Sequence, residues 1–328
     1  MPTLPQITLP TGRTTSVLGF GGNQLVGPKP RSEALALLET AYSCGIKHFD
    51  VARGYGYGDA EGIIGEFAQN KRDHITITTK FGMQPDARMA KMRGVVGIAR
   101  KVMRFAPGLR KALSRGGSAM LQTGAFGVEQ ARESLATSLR ELQTETIDLY
   151  LLHGCKPEDC ASPGLREFLE EAQAQGSIGR FGVGTHFADA RRICVEHPAF
   201  AHVTQFENSA TAPTLPDLPA GSGRVVVTFG AVGGDTKNLL ALLSSDATEA
   251  QRWEKELDID CKNAAVLSSL LLNWAVFANP GGIVLFTSTK PQTVETNARA
   301  IAESPFEVEQ LRRFGELSRS VAPRLTPT

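Results

Sequence analysis

A chain of 328 residues with 41% hydrophobic and 21% charged residues is typical of a globular protein, either one large α/β barrel or two ordinary domains. Its formal net charge of +1 gives no overall signal for nucleic acid or for a strongly acidic partner. The N-terminus does not resemble a secretory signal, and the longest apolar run, 264–278, is too short to span a bilayer. Five scattered cysteines favour reduced thiols, so we expect a cytoplasmic protein. Cys155 and Cys160 have no second ligand pair nearby, so we expect no metal site.

Segments of strand and helix character alternate along the chain. A hairpin is expected over Gln6–Thr15, followed by a strand at Val17–Phe20 and a helix that Ser32 caps and that runs through Tyr42. The other predicted strands are Lys47–Val51, Ile75–Lys80, Ile147–Leu152, Arg180–Val183, Ala201–Phe206, Val225–Phe229 and Ile283–Phe286. Further clear helices are predicted over Ala60–Phe67 and Val128–Leu142.

Eight predicted strands, each with a helical partner, favour a closed barrel over an open doubly wound sheet. The expected fold class is therefore α/β, a (β/α)8 TIM barrel with an N-terminal β-hairpin, formed by a single domain over residues 1–328. The polar, Pro-rich stretch Ala212–Gly223 predicts a long loop.

A basic insertion interrupts the pattern at 82–127. Its central part, Arg88 to Arg115, contains many Lys and Arg residues and no acidic residue, and Met89, Met92 and Val96 recur with helical spacing. Such a helix could lie as a lid over the barrel mouth and attract an anionic substrate, or bind a membrane surface. It is equally explained as a solvated helix that packs its apolar face on the barrel.

Polar residues follow several predicted strands at their carboxyl ends, where barrels build their sites. They are Asp50, Tyr55, Lys80 and His153. A phenol is a poor acid at neutral pH, and a neighbouring Lys80 ammonium would lower the pKa of Tyr55. Asp50 would hold Lys80, and His153 would bind a substrate carbonyl. Because none of these groups can supply hydride, the set calls for a cofactor, and nicotinamide is the simplest candidate.

Each of these residues alone is also explained by loop capping or packing, and Tyr57 is a rival for the proton role. His186 follows a predicted strand and is either a substrate contact or a loop residue. The Gly-rich turn that includes Gly22 lacks the full dinucleotide fingerprint, so we interpret it as close backbone approach near the site.

Three stretches resemble the aldo-keto reductase family: HFDVARGYGYGDAEGIIG (48–65), ITITTKFG (75–82) and IDLYLLHG (147–154). The resemblance continues in the same order from LGFGG (18–22) to KPQTVETNARAI (290–301), which is nearly the whole chain. It implies a barrel reductase in which the four residues Asp50, Tyr55, Lys80 and His153 act together, with Tyr55 as general acid and base.

The resemblance also implies cofactor contacts. Gly184, Thr185 and Gln205 match segments that bind the nicotinamide amide, Phe229 with Gly230 matches an aromatic that stacks on the ring, and Ser288 and Asn297 match positions near the adenosine half. Thr287 and Thr293 stand where basic residues commonly bind a 2′-phosphate, so Lys290 is left as the basic residue of that stretch. NADP(H) is expected more than NAD(H).

The sequence thus predicts an NAD(P)H-dependent oxidoreductase for a small carbonyl or sugar substrate, in either direction. Two other functions remain open. A lyase or aldolase could form a Schiff base through Lys80, and a non-catalytic regulatory subunit could bind the nucleotide without turnover.

Overall fold

In the computed structural model, which describes residues 3–26, 30–85, 121–122, 124 and 126–325, eight parallel strands close into a barrel. The described ranges contain these eight strands and two further pairs of strands. In chain order they are β1 (Gln6–Thr8), β2 (Thr14–Ser16), β3 (Leu18–Gly21), β4 (His48–Asp50), β5 (Thr76–Phe81), β6 (Gln84–Pro85), β7 (Leu121–Gln122), β8 (Ile147–His153), β9 (Ile178–Gly184), β10 (Val203–Glu207), β11 (Val225–Phe229) and β12 (Ile283–Phe286). The barrel runs β3-β4-β5-β8-β9-β10-β11-β12, and β12 pairs with β3 to close it. β1 and β2 form a separate antiparallel hairpin. The predicted fold class is confirmed.

Helices surround the barrel. They are α1 (Arg31–Ser43), α2 (Asp59–Ala68), α3 (Val128–Leu142), α4 (Pro163–Ala174), α5 (Phe187–Glu196), α6 (Gly233–Ser245), α7 (Ala247–Leu257), α8 (Ala264–Ala278), α9 (Pro291–Glu303) and α10 (Val308–Val321). The apolar run noted in the sequence is α8, which is largely buried against its neighbours. Within the part of the chain that the structure describes, no helix is long and apolar enough to cross a membrane.

Two details of the predicted pattern are wrong. The expectation that every strand has a helical partner is wrong for β10, because the described residues between β10 and β11 contain no α-helix. The loop predicted over Ala212–Gly223 is confirmed there, with one short 3-10 turn at Leu215–Asp217. Proline lacks the N–H that a helix interior needs, so this sequence does not continue into a helix. Ser32 does not cap α1, because the helix begins one residue earlier, at Arg31, with Pro30 in extended conformation before it.

Side chains alternate between the barrel interior and the helix layer, as the pleat of a strand requires. On β4, Phe49 points outward and packs on Phe67 of α2, with ring centroids 4.9 Å apart, while Asp50 points inward. A smaller apolar cluster fills the interior of the barrel, and Leu9 from the N-terminal hairpin belongs to it. The hairpin therefore closes the base of the barrel.

The base also holds a buried carboxylate. Asp148 on β8 accepts a hydrogen bond from the Arg72 side chain at 2.8 Å and one from the main-chain N–H of Ile77 at 2.8 Å. The Arg13 guanidinium lies 2.8 Å from its other oxygen, as an ion pair that is not aligned as a hydrogen bond. These groups tie the hairpin and two barrel strands together.

The predicted basic insertion begins and ends at a two-stranded pair. Gln84 of β6 lies opposite Gln122 of β7, and Pro85 lies opposite Leu121. The predicted lid helix over 88–115 lies outside the described residues.

Candidate active site

A carboxylate, an ammonium and an amide meet inside the barrel near the carboxyl ends of its strands. The buried side chains of Asp50 on β4 and Lys80 on β5 are joined by a hydrogen bond of 2.5 Å from Nζ to Oδ1. Gln205 on β10 donates from Nε2 to the other Asp50 oxygen at 3.1 Å. Lys80 also donates to the main-chain oxygen of Val51 at 3.1 Å. Three strands thus hold the Lys80 ammonium in one place.

The charge on Lys80 is maintained by its neighbours. Burial alone lowers the pKa of Lys80, but the Asp50 carboxylate and the contact with Tyr55 outweigh it, and the pKa lies above its ordinary value. Burial also raises the pKa of Asp50, against the opposing effects of Lys80 and Gln205. Lys80 therefore keeps its proton at neutral pH.

Tyr55 begins a short 3-10 turn, Tyr55–Gly58, that follows β4. The Lys80 Nζ lies 5.2 Å from the centre of the Tyr55 ring. Burial raises the pKa of Tyr55, Lys80 lowers it, and Asp50 raises it further. The effect of Lys80 has the predicted sign, but burial is stronger, so the pKa of Tyr55 lies above its ordinary value.

His153, the last residue of β8, faces Tyr55 edge to face, with ring centroids 5.7 Å apart and an interplanar angle of 82°. Burial, and secondarily Lys80, lowers the pKa of His153 to about 3. A neutral imidazole has one donor and one acceptor nitrogen. Within the described part of the chain its Nδ1 is buried without a hydrogen-bond partner, so this nitrogen has capacity left for another group.

The floor beside Lys80 is formed by the end of β9. A Cβ at Gly184 would lie 3.1 Å from Oε1 of Gln205 and 3.5 Å from Cδ of Lys80, so only glycine leaves this position open. The same Oε1 of Gln205 is buried and has no partner among the residues described. Thr185 differs from expectation in one respect: its hydroxyl donates to the main-chain oxygen of Cys155 at 2.8 Å, so its proton is already committed.

The neighbouring strand ends carry more of the predicted residues. Gly22 is buried directly after β3, and a Cβ there would lie 3.1 Å from the main-chain oxygen of Asp50. Phe229 ends β11 with 39% of its surface exposed, and Gly230 follows with φ at 86° and open space where a side chain would lie. These residues leave an accessible aromatic ring and a small-residue surface around the mouth.

The remaining predicted residues follow β12. The Ser288 hydroxyl donates to the main-chain oxygen of Lys290 at 3.2 Å and accepts from its N–H at 3.0 Å, which shapes the turn into α9. Lys290 is exposed at the start of that helix, and Asn297 is partly buried within it. Among the described residues, no hydrogen bond or ion pair joins these three to Asp50, Lys80 or Gln205. His186 is also exposed, with Nδ1 3.7 Å from a Glu207 oxygen.

One polar group behind the site was not predicted from the sequence. Glu61 on α2 is completely buried, accepts a hydrogen bond of 2.7 Å from the Thr79 hydroxyl and one of 2.6 Å from the Arg53 guanidinium. A signal was present, because Glu61 occupies the helical stripe that also contains Ile64 and Ala68. An acid in an apolar stripe indicates a buried partner.

No metal site is visible in the described ranges, where no three His, Cys, Asp or Glu side chains are grouped to hold an ion.

Comparison with known proteins places the chain in a family. Residues 17–204 match the sequence profile of the Aldo/keto reductase family. A D-threo-aldose 1-dehydrogenase from a Pseudomonas species is 30% identical over 190 residues, which are 55% of this chain and 53% of that protein. The chain matches about half or less of the length of such curated relatives.

Solved structures share the fold. The aldo-keto reductase from Bacillus halodurans in its holo form has a TM-score of 0.67 at 19% identity, covering 97% of this chain and 96% of that one. The aldo-keto reductase from Klebsiella pneumoniae in complex with NADPH has a TM-score of 0.62 at 18% identity, covering 99% and 100%. Since the family profile extends from the first barrel strand to the sixth, more than half of the chain, this protein belongs to the aldo/keto reductase family.

Proposed function

We propose that the protein is an NAD(P)-dependent oxidoreductase that reduces an aldehyde or ketone to an alcohol, or catalyses the reverse oxidation. The observation that carries this proposal is the Tyr55 phenol beside a buried Lys80 ammonium that Asp50 holds in place. Family membership supports the same activity. The dehydrogenase of D-threo-aldoses among the relatives supports a sugar or another small carbonyl compound as substrate.

The residues at the mouth fit a nicotinamide nucleotide. An amide ligand would find the unpartnered Oε1 of Gln205 as acceptor, the open space at Gly184, and the exposed ring of Phe229. The NADPH complex among the structural neighbours supports NADP(H) as the preferred form. When bound, the cofactor supplies the hydride. The residues that we propose to hold it are Gly22, Gly184, Thr185, Gln205, Phe229, Gly230, Ser288, Lys290 and Asn297.

The chain's own groups manage the proton. In reduction, the carbonyl oxygen takes the proton of the Tyr55 hydroxyl while the carbonyl carbon gains hydride, and the resulting phenolate is stabilised by Lys80. Asp50 keeps Lys80 charged for this purpose. His153, neutral at physiological pH, donates a hydrogen bond to the carbonyl oxygen and so orients it towards Tyr55. In oxidation the phenolate accepts the alcohol proton.

The geometry favours this role for Lys80 over Schiff-base chemistry. A lysine that attacks a carbonyl must lose its proton, and enzymes achieve this by lowering the pKa of the amine. The pKa of Lys80 is instead raised by Asp50 and Tyr55, despite its burial. A purely regulatory nucleotide-binding role needs no such acid, so the Tyr55–Lys80 contact also supports catalysis.

Two measurements test the proposal. Titration with NADPH and NADH, followed by nicotinamide fluorescence, should show saturable binding, with NADPH the tighter ligand. Tyr55→Phe should keep that binding and lose about 100- to 10,000-fold in turnover, the range expected for general acid catalysis. Wild-type turnover in this variant would contradict the role of Tyr55. Failure to bind either nucleotide would contradict the oxidoreductase proposal and favour trapping of substrate on Lys80 with borohydride as the next experiment.

A further inference from the structure

Behind the site, Glu61 joins the loop that carries Tyr55 to the strand that carries Lys80. Its carboxylate has 0% exposure and both of its oxygens are used. One oxygen accepts from the Thr79 hydroxyl at 2.7 Å and the other from Arg53 Nη1 at 2.6 Å. Thr79 directly precedes Lys80 on β5, and Arg53 lies two residues before Tyr55.

A second connection runs parallel to the first. The main-chain N–H of Arg53 donates to the main-chain oxygen of Lys80 at 3.2 Å. The side chains of Thr79 and Lys80 point to opposite faces of β5, so Glu61 holds the outer face while Asp50 holds the inner one. The loop cannot move away from β5 without stretching one of these bonds.

We propose that Glu61 and Arg53 are positioning residues that set the separation between the Tyr55 phenol and the Lys80 ammonium. This proposal rests on the proposed function. Buried ion pairs are often no more stabilising than apolar side chains of similar volume, so stability alone gives little reason to place a charged pair here. Positioning gives a reason, since small displacements of reacting groups cost large factors in rate.

Several charges surround the Tyr55 phenol, and their signs make the proposal testable. Lys80 and Asp50 face it from β5 and β4, neutral His153 faces it from β8, and the Arg53–Glu61 pair lies behind its loop. Removing the negative charge of Glu61 without movement would lower the pKa of Tyr55. Moving the phenol away from Lys80 would raise that pKa.

The decisive variant is therefore Glu61→Gln. We expect a rise in the pKa of Tyr55, measured as the difference in ultraviolet titration between each protein and its Tyr55→Phe partner. With NADPH and 4-nitrobenzaldehyde as probe, we expect turnover to fall about 10- to 100-fold at unchanged KM and nucleotide affinity. A lowered or unchanged pKa of Tyr55 would overturn the proposal.

Thr79→Val provides a test without any change in charge and with little change in volume. It removes one donor to Glu61, and we expect a smaller rise in the pKa of Tyr55 and a smaller loss of turnover than in Glu61→Gln.

Arg53→Lys should restore part of the turnover that Arg53→Met loses, because it keeps the charge opposite Glu61. Equal turnover in these two Arg53 variants would contradict the proposal.

Glu66→Gln is the matched control. Glu66 lies on the same helix as Glu61 but is paired with Arg31 at the surface, at 2.6 Å. We expect no change in turnover or in the pKa of Tyr55. If Glu61→Gln unfolds, the Thr79 and Arg53 variants still decide the question. If the wild type itself lacks turnover, the proposed function fails, but the titration of Tyr55 still tests the positioning role.

Discussion

The two ends of the barrel each bury a carboxylate, and they surround it differently. At the base, Asp148 faces two guanidinium groups and the N–H of Ile77, and all three belong to the chain. At the mouth, Asp50 is bound by Lys80 and Gln205, while the Oε1 of Gln205 and the Nδ1 of His153 stay unpartnered among the described residues. The difference teaches that burial of a charge does not by itself mark a site. At the mouth, unused hydrogen-bonding atoms lie on neutral side chains around the charged pair, whereas the Asp148 oxygen that lacks a hydrogen bond is ion-paired with Arg13.

The largest effect on stability is expected at the base. Asp148→Asn would leave Arg13 and Arg72 facing a neutral amide, and loss of one partner from a buried pair costs about 3–5 kcal/mol. Because both arginines are partly exposed to water, we expect a loss near the lower end of that range in urea unfolding. Turnover per folded molecule should stay at the wild-type value.

Asp50→Asn is the matched change at the mouth. It also removes a carboxylate from a buried pair, but this pair keeps Lys80 charged beside Tyr55. Turnover per folded molecule should fall on the order of 100-fold. The comparison between the two ends would fail if both variants kept their turnover, or if Asp148→Asn lost as much as Asp50→Asn.

A smaller effect, on the pH dependence of stability, is expected from His48, which lies between the two ends of the barrel. Its ring lies inside the barrel, 2.9 Å from the Thr76 hydroxyl and 3.1 Å from that of Thr78, and burial, with Lys80, lowers its pKa to about 3. The unfolded chain binds a proton near pH 6.5 and the folded one does not, so stability falls as the pH drops from 7 to 5, by about 2 kcal/mol for this group.

Unfolding of His48→Gln at both pH values measures this contribution, because the variant should lose correspondingly less stability on acidification. His74→Gln is the control, because it makes the same change at an exposed histidine. An acid loss in His48→Gln as steep as in the wild type would show that other groups carry it.

The smallest effect is expected from a change at Gly184, at the mouth of the barrel. Gly184→Ala places a methyl group 3.1 Å from the Oε1 of Gln205, and overpacking of this kind costs about 1–3 kcal/mol. We expect nucleotide affinity to fall roughly 10-fold, measured by fluorescence titration, and the free energy of unfolding to fall by an amount near the lower end of that range. Gly62→Ala on the surface of α2, where the added carbon has only ordinary contacts, should leave affinity unchanged.

Much of the fold could be predicted because barrel strands are short apolar runs with clear ends. Val225–Phe229 and Ile283–Phe286 have the predicted bounds. The meeting of Asp50 and Lys80 could be anticipated for the same reason, since parallel strands end at one face. The Pro-rich composition of Ala212–Gly223 also predicted the loop between β10 and β11, and the expectation of a helix for every strand was wrong because it assumes that every crossover contains one.

The pKa of Tyr55 and the buried ion pair behind the site could not be predicted, because both depend on how deeply the side chains are buried. Whether Lys80 or burial dominates the pKa of Tyr55 depends on how deeply the phenol lies, which only coordinates give. The position of Glu61 in an apolar helical stripe indicates a buried partner, but the sequence does not identify that partner as Arg53. The meaning of this ion pair comes from complete burial of the carboxylate.

The antiparallel pairing of β6 with β7 fixes the two ends of the segment between them. By holding Pro85 opposite Leu121, it presents the barrel with two fixed attachment points for whatever chain connects them. The entropy of closing a chain segment grows only with the logarithm of its length, and the pairing of β6 with β7 already brings the two ends of this segment together. We therefore expect that a change in the number of residues between positions 85 and 121 leaves the pairing of β5 with β8 in its register.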